Sequence, residues 1–258
     1  MKAFFGTFLI ILGEYLSYIV ISNKKTINKI IDEGISIIKK EYELEELDLG
    51  EFKTVYIYKV LPFKSKKYYI QRLGILSIMA LNLGVMQMFT FNINPFEKDI
   101  PQLTIDPIIM LNQRKILFEI YKLMIDFETE NYNEFLKKLK EIKGNYTDLK
   151  DFKPSEALWR DKYFSNAIYK SGNSQNEDKL LNLFKDVLNV YIEYAKKEKD
   201  LDSEQKAKKV ETIKDFADKL VENGGISINY FKKSLGDKKT KEFLGKVLYG
   251  FYGYLHAK

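Results

Sequence analysis

The chain has 258 residues, 45% hydrophobic and 30% charged, which suffices to bury the core of one large domain or two small ones. Lysine plus arginine total 42 against 36 Asp plus Glu, for a formal charge of +6. Only Arg72, Arg114 and Arg160 are arginine, which speaks against a nucleic-acid grip built on bidentate guanidinium contacts. With no cysteine and the lone histidine at His256, thiolate chemistry, Cys-held metals and disulfides are excluded, and a Ser-His-Asp triad or His-based metal site has one terminal residue to draw on. No GxGxxG or GxxxxGK[ST] cradle occurs, so any catalysis falls to carboxylates, tyrosines, lysines or a bound cofactor.

In chain order, residues 3–13 are apolar behind Met1-Lys2, in the manner of a signal peptide. Glu14 ends that run after about eleven residues, against the ~20 that span a bilayer, and no small-x-small cleavage site follows. The expectation is a buried first helix in a cytoplasmic protein with no membrane partner; the alternative is a signal peptide. Residues 26–46 carry Ile27, Ile30, Ile31, Ile35, Ile38 and Tyr42 at amphipathic helix spacing. The period then shortens. Residues 52–61 and 68–76 are rich in β-branched and aromatic side chains and read as strands, with Lys64, Ser65, Lys66 and Lys67 as the loop between them. Residues 78–93 suit either strand or buried helix, and MQMFTFNI favours strand for the second half. Residues 103–110 and 115–124 complete an antiparallel sheet of about five strands.

One residue in this region stands out. Asp106 lies in an apolar β-type run among Thr104, Ile105, Ile108, Ile109 and Met110. A carboxylate there is costly unless paired, hydrated or protonated, and burial moves its pKa towards the working pH of a general acid. The plainer alternative is a strand end or turn, since Asp106-Pro107 favours turns.

Beyond the sheet the pattern is helical. Residues 132–143 place Phe135, Leu136, Leu139 and Ile142 on one face and stop at Gly144. Residues 180–197 follow, then a highly charged stretch at 203–221 with Val210, Ile213 and Phe216 as its seam, and a last helix marked by Phe243, Leu244, Val247, Leu248 and Phe251. Lysines 196, 197, 199 and 206, 208, 209 read as solvated helix faces, not a nucleic-acid surface. Helix, sheet, then helices predicts an α+β fold: a three-layer α/β/α sandwich whose central antiparallel sheet is flanked by helices. One domain is expected, with N-terminal helices at 1–48, the sheet at 50–126 and C-terminal helices at 128–258.

The order of elements and a Pro-x-x-x-x-Asp motif resemble the ferredoxin-dependent bilin reductase family, which includes the red chlorophyll catabolite reductases. MQMFTFNINP (86–95) is similar to the family strand that ends in an aliphatic-Pro step, FEKDIP (96–101) to its linker, and PQLTID (101–106) to its Asp-bearing strand. Residues 116–124 fall where the family has its next apolar strand. Lys153 to Arg160 resembles a Ser-Pro segment before an aromatic and an Arg, in inverted order, and residues 231–248 resemble the closing helix. The departures are Leu103-Thr104 in place of Phe-Gly before the Asp, Thr90 where members carry His or Asn facing the bilin, and Gly225 where some carry a second Asp.

The resemblance implies a ferredoxin-dependent reductase of a biliverdin-like linear tetrapyrrole that binds between the sheet and the C-terminal helices. It holds no permanent cofactor and no metal; electrons arrive singly from reduced ferredoxin or flavodoxin. Asp106 is then the proton donor. Thr90 and Asn92 contact the substrate, and Arg72, Arg114 and Arg160 are candidates for its propionates. A lysine rim at Lys64, Lys66 and Lys67 would steer an acidic ferredoxin to a monomeric enzyme, unless those lysines are only a solvated loop. A non-catalytic member of the fold that binds a tetrapyrrole or another hydrophobic ligand is the alternative, and a lysine-rich interaction protein with no small-molecule site is a third reading. The last requires Asp106 to be a surface turn residue; the others require it to face a cleft.

Overall fold

A computed structural model of the chain describes residues 2–153 and 158–254. Among these residues nine strands form one sheet: β1 (Leu44–Leu47), β2 (Thr54–Ile57), β3 (Leu61–Ile70), β4 (Gly74–Leu83), β5 (Met86–Asn94), β6 (Gln102–Met110), β7 (Gln113–Tyr121), β8 (Lys150–Asp151) and β9 (Phe164–Asn173). Their spatial order is β1-β3-β4-β5-β6-β7-β9-β8, with β2 sharing the β1 edge of β3, and every pairing is antiparallel.

The strands alternate because each face meets a different layer. Phe89, Phe91 and Ile93 of β5, Leu103, Ile105 and Ile109 of β6, and Ile116, Phe118 and Ile120 of β7 enter a core with α1 (Lys2–Lys39), α2 (Glu130–Asn145) and α3 (Glu177–Lys197). Phe91 meets Phe184 of α3 edge to face at 5.7 Å, and Gly34 of α1 sits so close that an added Cβ would lie 2.8 Å from the Phe91 ring. The opposite face is covered by α4 (Ser203–Asn223), α5 (Ile226–Leu235), α6 (Asp237–Phe243), a π-helical turn (Leu244–Leu248) and α7 (Phe251–Tyr254). The architecture is thus an α+β sandwich with helices on both faces of an antiparallel sheet. Local signals set several helix ends. Thr129 caps α2 by accepting from the Tyr132 amide, Asp202 and Gln205 form a capping box on α4, and Gly224 ends α4 with φ +73°.

Several sequence expectations are corrected. Lys64 to Lys67 is not a loop but the middle of β3; the turn lies at Tyr58 to Val60, where Tyr58 and Lys59 take φ +51° and +62°. Alternation within the lysine run explains the error, because Lys64 and Lys66 are exposed while Ser65 and Lys67 are buried. Residues 78–93 are two strands folded about Gly84-Val85. The first helix continues to Lys39, after which residues 44–47 pair with β3 as a strand. The burial expected for residues 3–12 lies outside what the structure describes; residues 13–18 are exposed, and Ile19 is buried. Strands β8 and β9 lie in the region expected to be wholly helical, and the expected last helix is three short pieces. Among the described residues no helix is long and apolar enough to cross a membrane. His256 and residues 154–157 lie outside the described residues.

Candidate active site

The face under α4 to α7 is polar where its counterpart is apolar. In register across the sheet run Lys67, Ser77, Asn92, Thr104, Glu119 and Ala167, and all but Ala167 are polar and buried. Buried polar groups on this scale must be bonded or they cost stability. Part of the row clasps the C-terminal segment. Lys67 Nζ donates to the Lys246 carbonyl (3.0 Å), Ser77 Oγ to that of Val247 (2.5 Å), and the Asn92 and Asn94 amides both to that of Leu248 (2.8 Å each). Asn92 Oδ1 in turn accepts from Gln102 Nε2 (2.7 Å) and Thr104 Oγ1 (2.8 Å).

The next row contains Asp106. It lies inside β6, not at a turn, opposite Leu117 of β7. Pro107 lacks an N–H, and the β5–β6 ladder is interrupted between the Met88–Ile108 and Phe91–Ile105 pairs. Thr90 stands across that gap and donates its hydroxyl to Asp106 Oδ1 at 2.6 Å. Here the face opens: Met88, Thr90, Asp106, Ile108, Leu117, Ala167 and Tyr169 are all half-buried. Asp106 is only half-buried as a residue, although protein crowds closely around its carboxyl. Burial, and then the charge of Glu119, push its pKa from 3.8 up to about 7, against the opposing pull of the Thr90 hydroxyl and Arg160. A carboxyl in this state can hold a proton at neutral pH and give it to a ligand on the open face.

Around it lies a network that the sequence reading missed. Glu119 accepts from the Tyr121 hydroxyl (2.6 Å) and the Tyr169 hydroxyl (3.2 Å), and Arg160 Nη1 lies 3.9 Å from it while donating to the Tyr121 oxygen at 3.2 Å. Burial pushes the Tyr121 and Tyr249 phenols well above their ordinary value. Among the described residues, several buried polar atoms on this face have no hydrogen-bond partner: Arg160 Nε, Gln102 Oε1, Asn94 Oδ1 and Ser65 Oγ. Glu119 carried the same signal as Asp106, an inward acid in the alternating strand QRKILFEIY, without a neighbouring proline to draw attention to it.

The structure therefore brings Asp106, Thr90, Asn92 and Arg160 to one face of the sheet. It does not bring Arg114 there. Arg114 points to the α1–α3 side, where it is buried and bonded to Glu177 (2.8 Å from Nε), Asn23 (3.0 Å) and the Leu111 carbonyl (2.8 Å). Arg72 sits in the β3–β4 turn, paired with Asp200 at 2.9 Å. Lys67 is buried under the C-terminal turn, whereas Lys64 and Lys66 are exposed. Among the described residues no trio of His, Cys, Asp or Glu is set to hold a metal ion.

A solved structure shares this fold. Phytochromobilin synthase from tomato, in complex with biliverdin, matches with a TM-score of 0.67 over 90% of this chain and 84% of that one, at 18% identity. The chain has the fold of that synthase. Identity this low establishes the fold alone. No family model matches the sequence, and no curated protein sequence matches it either.

Proposed function

We propose that this protein binds an open-chain tetrapyrrole on the half-open sheet face between β5 and β9 and reduces it, with Asp106 as the proton donor. The carrying observation is Asp106 itself: a carboxyl set in the interior of a strand, on the polar face, with its proton held to about pH 7. The fold shared with a protein crystallised with biliverdin supports the ligand class.

Adding an electron to a conjugated tetrapyrrole is easier when it is protonated, because the radical formed is then neutral. Reducing one carbon–carbon double bond consumes two electrons and two protons. In this reading the electrons come one at a time from reduced ferredoxin or flavodoxin, and Asp106 delivers a proton and is refilled from solvent. Thr90 fixes the carboxyl through Oδ1, which leaves the other oxygen for the ligand. Arg160, whose buried Nε has no partner among the described residues, is the cation for a propionate. Lys64 and Lys66 are candidates for meeting an acidic electron donor.

The test is a visible-absorption titration with biliverdin. A red-shifted, saturable spectrum is expected in wild type and in Asp106→Asn, with the pH dependence of the bound spectrum lost in the variant. Absence of any bound spectrum, with other linear tetrapyrroles as well, would overturn the proposal.

A further inference from the structure

Glu119 lies one row inward of Asp106 on the same face, opposite Thr104, with Asp106 opposite the neighbouring Leu117. It is one of the few acids in the sheet interior, only 5% exposed, and its environment differs in kind from that of Asp106. Both of its oxygens accept phenolic hydrogens, from Tyr121 and Tyr169, and the Arg160 guanidinium stands beside it. Among the described residues the hydroxyl donor to Asp106 is Thr90. A carboxylate on the same face one row away raises the proton affinity of its neighbour.

We propose that Glu119 is a positioning residue: its charge, fixed by Tyr121, Tyr169 and Arg160, keeps the proton on Asp106. The inference rests on the reading of Asp106 as proton donor, but its test does not need the tetrapyrrole. The groups that face Asp106 are Thr90 on β5, Glu119 on β7, Tyr169 of the same cross-strand row on β9, Arg160 ahead of β9 and Tyr249 after the π-helical turn. Glu119 is the acidic side chain among those whose charge raises the proton affinity of Asp106. Arg160 opposes it, so the arrangement is tuned by one anion and one cation.

The experiment follows the carbonyl stretch of protonated Asp106 by isotope-edited infrared spectroscopy on ligand-free protein between pH 4 and 9. In wild type the band is expected to disappear with a midpoint near 7. Glu119→Gln should lower that midpoint by about one pH unit or more, a tenfold gain in acidity, as expected for a neighbouring charge removed from a partly buried site. Glu119→Asp, which keeps the charge but disturbs packing comparably, should keep the midpoint near wild type. Glu119→Leu serves as the second neutral variant should the amide fail to fold, and the same lowering is expected. An unchanged or raised midpoint in the neutral variants would overturn the proposal even if the protein reduces bilins. A lowered midpoint in a protein that binds no tetrapyrrole would uphold it while removing the functional reading.

Discussion

Asp106 should weaken the fold as pH rises from about 4 to about 7, and the size of the effect follows from its titration. Its carboxyl holds a proton to about pH 7 in the folded chain, against an ordinary value of 3.8. The folded state therefore binds more protons than the unfolded state between those values, so stability falls as pH rises through that window and then levels off. At 1.36 kcal/mol per pH unit the full loss is about 4 kcal/mol. Asp106→Asn keeps the shape but cannot ionise, so it should escape this loss. Relative to wild type the variant should gain about 4 kcal/mol at pH 8, and less than about 1 kcal/mol at pH 4, where the folded carboxyl is protonated and the unfolded one is only about half ionised. Urea unfolding of both proteins at the two pH values measures the difference, and titration of all other groups cancels in the comparison. A gain independent of pH, or a loss at pH 8, would refute the claim that Asp106 is held protonated by its surroundings.

Three further outcomes are expected. Thr90→Val removes the 2.6 Å hydrogen bond that favours the Asp106 anion, so the infrared midpoint of Asp106 should rise by about one pH unit, opposite in sign to the neutral Glu119 variants. Asn92→Leu deprives Gln102 and Thr104 of their shared acceptor and the Leu248 carbonyl of one of its two side-chain donors; about 3 kcal/mol of stability should be lost, with faster proteolysis near residue 248. Arg114→Met breaks the pair with Glu177 on the far side of the sheet, and should cost about 3 kcal/mol in urea unfolding yet leave the biliverdin-bound spectrum unchanged.

The sandwich was legible because its strongest signals are periodic. MQMFTFNIN and QLTIDPIIM alternate cleanly, and each apolar half reaches the α1–α3 core. Asp106 was legible as a lone charge inside an otherwise apolar β-type run. What escaped was carried by tertiary contact. Strand β9, FSNAIYKSGN, contributes only Ile168 to the buried core and is held in the sheet by its ladder to β7. The lysines of β3 looked like a loop because charge was read before alternation. Arg114 could not be told from Arg160 by type; strand parity separates them, since Arg114 shares the apolar beat of Ile116 and Phe118. The half-open stretch around Thr90 and Tyr169 depends on where the C-terminal helices stop covering the sheet, which no local pattern announces.

The most direct test of the central claim is a single-turnover reaction of the biliverdin-loaded protein with photoreduced ferredoxin under anaerobic conditions, run with wild type and Asp106→Asn. The account predicts that wild type loses the long-wavelength band of the bound bilin, whereas the variant binds the same ligand and stops before a reduced product forms. Equal reduction by both proteins, or no reduction of bound bilin by wild type with ferredoxin or flavodoxin, would contradict it.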